Sequence, residues 1–149
     1  MEAREVAVAL GRGAVAGVVG TAAMTVSERI EMRLTGRESS NVPAQVAERL
    51  TGLEPDTAAG EERLSQGVHW GHGVLMGAVR GAIGLTGARA ASATALHYGV
   101  LWGGDAALYR ALGIAPPPWA WEGSALATDL LHKGVHAAVT GVVYERLAT

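Results

Sequence analysis

Apolar positions recur along this chain at helical spacing, in four long runs separated by short polar stretches. The pattern predicts long helices over 5–34, 58–85, 91–112 and 124–147, with a short amphipathic helix over 42–52. In the first run Gly13, Gly17 and Gly20 form a stripe of small residues beside Val15, Val18, Val19 and Met24. The apolar zone is interrupted only by Arg12 and ends at Ser27-Glu28-Arg29-Ile30-Glu31. Glu28 with Glu31, and Arg29 with Arg33, are like charges three or four apart, so they cannot neutralise one another along the helix, and this end belongs in water or among lipid headgroups. In the short helix Val42, Val46, Leu50 and Leu53 make one apolar face and Pro43 fits the first turn. Such a helix lies on a membrane surface, folds back over the mouth of a bundle, or docks on the core of a soluble protein.

The second long run carries Gly73, Gly77, Gly81 and Gly84 on one side and His69, His72 and Met76 on the neighbouring side. The third carries His97, Gly99, Gly103, Asp105 and Tyr109, and the proline-rich stretch 114–121 after it reads as loop. In the fourth, Asp129, His132 and His136 fall on one face at about 100° per residue. The fold class expected is all-α: a bundle of four long transmembrane helices plus the short amphipathic helix between the first and second.

Composition sharpens this to a choice of solvent. The chain has 149 residues, 49% of them hydrophobic, yet it contains no Phe and 21 Gly. At about 25 cal/mol per Å² of buried apolar area, a Phe-free, glycine-rich core gains little in water. In lipid, small residues are what let helices pack closely. No run holds about 18 uncharged apolar residues, which counts against a simple spanning helix. The interruptions are mostly single polar groups at helical spacing, which a bundle turns inward. A multi-pass protein of the cell membrane is therefore expected, with the lipid bilayer as its surroundings and Gly/Ala helix faces available for homo-oligomer formation. The formal net charge of −2 gives nucleic acid no electrostatic footing. Cysteine is absent, so disulfides and thiolate chemistry are excluded. The mixed-charge start, Glu2 to Glu5, does not read as a signal peptide.

The succession Gly17-x-x-Gly20-Thr-Ala-Ala-Met24-Thr, Arg33-Leu-Thr-Gly-Arg37, His69-Trp70 and Ala115-Pro-Pro-Pro-Trp119, with a histidine-bearing final helix, resembles small uncharacterised integral-membrane proteins of actinobacteria. More remotely it is similar to the YagU-type inner-membrane family. The resemblance implies a membrane location and brings no catalytic residues with it.

Candidate chemistry rests on histidine. His69-x-x-His72 and His132-x-x-x-His136 each put two imidazoles on one helix face, a spacing that can hold a divalent metal. His97, Asp105 and Asp129 could complete a shell from neighbouring helices, or two imidazoles could ligate a haem. The alternative is an internal polar network in which Arg80, Asp105, Lys133 and the histidines pair with one another, Asp129 with Lys133 across one helical turn. Leu10-Gly11-Arg12-Gly13 to Gly17 imitates a G-x-G-x-x-A dinucleotide turn, but no second strand or terminal acid follows, and it reads as a glycine-lined helix. No nucleophile, base and orienting group stand together, so no enzyme is expected. The favoured function is a structural or interaction protein of the membrane with an inward His/Asp cluster. A metal-binding, haem-binding or proton- or ion-conducting bundle is the alternative, and a soluble Ala/Gly-rich bundle with a ligand pocket the third.

Overall fold

A computed structural model describes residues 2–149, and among them it is helical, with no strand. Five α-helices run in chain order: α1 (Ala3–Thr35), α2 (Val42–Thr51), α3 (Ala58–Gly84), α4 (Ala90–Ala111) and α5 (Gly123–Ala148). A single 3₁₀ turn, Pro118–Ala120, lies within the proline-rich connection. Local chemistry explains the ends. The Glu5 carboxylate accepts a hydrogen bond from the Glu2 backbone at 3.0 Å and starts α1 two residues ahead of the expected boundary. Gly36 (φ 73°) and Gly52 (φ 74°) close α1 and α2 in the left-handed conformation that glycine adopts without strain. Thr57 caps α3 by accepting from Gly60 N–H at 3.1 Å.

Helix α1 packs along both α3 and α5, α4 covers α5 and α3, and α2 lies on α3. The glycine stripes account for the first of these contacts. A Cβ at Gly17 would come within 2.5 Å of Gly73 O and 2.8 Å of Gly77 Cα, and one at Gly13 would collide with Gly77 O. Backbone therefore meets backbone, antiparallel, along α1 and α3. The same role falls to Gly20, which Thr140 and His136 of α5 approach, and to Gly84, against which the Tyr144 ring lies. These glycine faces are occupied by contacts within one chain.

Few large apolar side chains are buried, and several large polar ones are. The apolar side chains larger than alanine that are buried are Val46, Ile83, Leu101 and Tyr144. Exposed ones include Val8, Val15, Val18, Val19, Val26, Ile30 and Leu34 along α1, and Leu75, Leu96, Val100, Leu131 and Val142 on the other long helices. The largest fully buried side chains are Arg80, His97, His136, Thr21 and Thr140. Among the described helices only α1 is long and apolar enough by length and composition to cross a membrane, with a mean hydropathy of 1.6 over its best 18 residues. Four transmembrane helices are therefore not established, although α3, α4 and α5 are 27, 22 and 26 residues long.

Candidate functional site

At the end of the bundle covered by α2, the helices part around a cavity of about 260 Å³. Each long helix contributes polar groups because its apolar pattern is broken on the inner face. Helix α1 supplies Thr25 and Glu28; α3, His69 and His72; α4, Asp105 and Tyr109; and α5, Asp129, Lys133 and His136. The apolar wall includes Met24, Met32, Val46, Leu101 and Leu108, with Arg29 and Arg37 toward the exposed rim.

The inner wall is organised by Lys133. Its Nζ lies 3.0 Å from Asp105 Oδ2 on α4 and 3.0 Å from Asp129 Oδ1 one turn earlier on α5, and 5.1 Å above the Tyr109 ring. His72 Nε2 lies 2.9 Å from Asp105 Oδ1, without good hydrogen-bond geometry. This joins α3, α4 and α5 through one carboxylate. Two carboxylates thus share one ammonium. At the polar end of α1, burial raises the Glu28 carboxyl above its ordinary value, opposed by the nearby Arg37 charge. Glu31 moves the other way: Arg37 donates to its Oε2 from Nε at 3.0 Å and Nη2 at 2.7 Å, which holds its pKa down.

Deeper along the axis the His97 and His136 rings face each other, centroids 5.8 Å apart and tilted by 54°. Their nitrogens make no hydrogen bond of ordinary geometry, although the Met76 and Gly73 backbones approach them respectively. Beyond this pair, Arg80 donates from Nη2 to Glu145 Oε1 at 2.5 Å and stacks over Tyr144 with 4.6 Å between guanidinium carbon and ring centre. The polar groups therefore follow one another along the bundle axis from cavity to far end.

Of the expected cluster, His69, His72, Asp129 and His136 line the cavity, His97 lies against His136, and His132 does not line the cavity. His72 meets Asp105 as one member of the anticipated network, and the expected Asp129–Lys133 pair is present. His69 instead shares a hydrogen bond with Thr25 Oγ1 at 3.1 Å, and His132 turns away to Ser27 Oγ at 2.9 Å. His69, His72, His97, Asp129, His132 and His136 consequently do not form one coordination shell. No three His, Asp or Glu side chains among the described residues converge as a metal site requires. Gly20 of α1 packs against His136, where a Cβ would lie 3.3 Å from its Cδ2.

Sequence reasoning missed Thr25, Glu28, Tyr109 and Glu145. A signal for the first two was present: the small-residue stripe Gly13, Gly17, Thr21 continues four residues on to Thr25 and three further to Glu28, so those side chains share the face that packs on α3 and α5. No family model, curated protein or solved structure matches the chain.

Proposed function

We propose that this chain is a multi-pass protein of the cell membrane and that its bundle handles protons or small cations through a polar interior open at one end. The observation that carries the reading is the inversion of polarity: Arg80, His97 and His136 are fully buried while the Val, Leu and Ile side chains of α1 and α4 face out. An exposed Val, Leu or Ile forgoes about 1.5–3 kcal/mol of burial in water, a cost that lipid removes. The shortfall in hydropathy of α3, α4 and α5 has a matching cause. Arg80, His97, Asp105, His132, Lys133 and His136, which lower it, are buried, so the surface left for lipid is more apolar than the sequence average. Arg12 is exposed near the start of α1, where a long side chain reaches the interface.

For function, the unpartnered His97–His136 pair between cavity and Arg80 is the feature an inert scaffold does not need. Reconstitution into liposomes with an imposed pH gradient tests this. A flux above that of empty liposomes, lost on replacing His97 and His136 with Ala in a protein that keeps its helicity, supports the reading. Absence of flux with wild-type protein, for protons and for monovalent cations, rejects it.

The second reading, a structural or interaction protein, is favoured by a different observation: each buried charge is paired, Arg80 with Glu145 and Lys133 with Asp105 and Asp129, and the pairs tie α3 and α4 to α5. Membership of the actinobacterial membrane proteins that the sequence resembles belongs to the same proposal. A homo-oligomer would use the outer face of α4, where Gly99 and Gly103 have nothing within 4 Å of an added Cβ and stand beside exposed Leu96 and Val100.

A further inference from the structure

We propose that Ser27, His132 and Glu31 form a nucleophilic centre that takes the acyl group of an aliphatic carboxylic ester onto Ser27. Serine and histidine are 105 residues apart in sequence, so the packing of α5 on α1 brings them together. Ser27 Oγ lies 2.9 Å from His132 Nδ1, within hydrogen-bond reach. On the far side of the ring, His132 Nε2 faces Glu31 Oε2 at 3.7 Å. Ser27 and Glu31 stand one turn apart on α1, with the imidazole of α5 wedged between them. A nucleophile, a base and a carboxylate behind the base therefore follow in order.

Glu31 is fixed in advance. Arg37 donates to its Oε2 from Nε at 3.0 Å and Nη2 at 2.7 Å, and Thr35 Oγ1 donates to its Oε1 at 2.8 Å. A carboxylate so held keeps the ring proton on Nε2, which leaves the Nδ1 lone pair for the Ser27 hydroxyl. Glu31 acts through His132 and is a positioning residue. His132 is 4% exposed, while Ser27 keeps part of its surface accessible. In the reaction Ser27 Oγ attacks the ester carbonyl carbon as its proton passes to His132 Nδ1. The bond to the alcohol oxygen then breaks and His132 returns the proton to the departing alkoxide, leaving acyl-Ser27 and a neutral imidazole. Water, deprotonated by the same nitrogen, releases the carboxylic acid and restores Ser27.

The surroundings select the ester. Neither Ser27 nor His132 lines the polar cavity. Ile30 and Leu34, three and seven residues after Ser27 on α1, and Leu131 next to His132 are exposed, and an aliphatic acyl chain gains apolar contact there. Ser27 also stands where the apolar run of α1 gives way to Glu28 and Arg29, which in a spanning helix is the depth of lipid ester groups. Only this choice of source, a membrane lipid over a soluble ester, rests on the membrane reading.

The test treats the full chain in detergent with an alkyl fluorophosphonate and maps the adduct by peptide mass spectrometry. Wild type is expected to carry it on Ser27 and Ser27→Ala to carry none. Labelling should be about 100-fold slower in His132→Gln and about tenfold slower in Glu31→Gln, with Glu31→Asp between. Because these variants can loosen the α1–α5 contact, wild type alone supplies a second readout. Its labelling rate should rise with pH as the imidazole, surrounded by Glu31, Arg37 and Asp129, loses its proton, and then level off; Glu31→Gln should shift that midpoint. No adduct on wild type, an adduct unchanged in Ser27→Ala, or equal rates in wild type and H132Q would each overturn the proposal. Two substrates separate the sources: p-nitrophenyl butyrate in detergent, and dioleoylphosphatidylcholine in mixed micelles. Fatty-acid release abolished by Ser27→Ala supports a lipid ester, turnover of the soluble ester alone supports the same centre with a soluble substrate, and turnover of neither overturns it. Failure of the membrane reading shows separately, as a protein soluble without detergent.

Discussion

Lys133 and Asp105 stand 3.0 Å apart, on α5 and α4, each less than a tenth exposed. A salt bridge so enclosed is not by itself a gain in stability, because removing two charges from water costs as much as their attraction returns. Its meaning lies in what happens when it is halved. Lys133→Met leaves Asp105 buried, and the partly exposed Asp129 beside it, without their cation and is expected to destabilise the bundle by about 3–5 kcal/mol. Adding Asp105→Asn and Asp129→Asn should recover most of that loss. Thermal unfolding followed by circular dichroism in detergent measures both, and an undamaged single variant would mean that the pair is more solvated than its burial implies.

The glycines divide into those with a neighbour and those without. At Gly77 a Cβ would meet Gly17 Cα at 2.5 Å and clash with Gly13 O, whereas at Gly103 it would meet nothing within 4 Å. Gly77→Ala should therefore cost about 1–3 kcal/mol through forced separation of α1 and α3. Gly103→Ala in a monomer should gain up to about 1 kcal/mol from helix propensity. A loss at Gly103 instead would point to a second copy packed on α4, which chemical cross-linking at exposed α4 positions checks.

The two acids at the polar end of α1 should titrate in opposite directions. Arg37 lowers the Glu31 pKa, so its contribution to stability is present above the ordinary carboxylate value of 4.5 and disappears as pH falls through the lowered folded value. Burial raises the Glu28 pKa, so Glu28 favours the folded state below 4.5 and that contribution fades as pH rises through its raised folded value. Carboxyl carbon resonances of labelled glutamate, followed with pH, are expected to show Glu28 titrating above 4.5 and Glu31 below it. In Arg37→Gln the Glu31 midpoint should rise; coincident midpoints in the unaltered protein would contradict the assignment.

Arg80 presents the same logic at the far end. It is fully buried and its Nε and Nη1 have no hydrogen-bond partner, so Glu145 and the Tyr144 ring are its compensation. Glu145→Gln keeps a hydrogen-bond acceptor while removing the charge, and should lower the unfolding midpoint less than Glu145→Ala does. Comparison of the two midpoints in the same detergent checks this; equal losses would assign the effect to charge alone.

Helix positions were legible because this chain states them in glycines, prolines and apolar spacing: Gly36 and Gly52 end helices where they fall, and 114–121 breaks after α4. The inward direction of His72, His97 and His136 also followed from periodicity. What periodicity leaves open is which helix lies opposite, and that decided the site. His132 shares a face with His136 on α5, yet α1 runs beside it and draws it to Ser27. Glu28 read as a solvated helix end because its own helix offers no partner, while its actual surroundings belong to α3, α4 and α5. Before α2, the Asn41 side chain accepts from Gln45 at 2.6 Å and donates to Glu61 at 3.1 Å, and so ties α2 to α3.

The inversion of polarity is tested most directly by where the protein resides. Cells expressing the tagged chain, broken and separated into membrane and soluble fractions, should yield it in the membrane fraction, retained through extraction at alkaline pH and released only by detergent. Recovery as a monodisperse species in the soluble fraction without detergent would contradict the account.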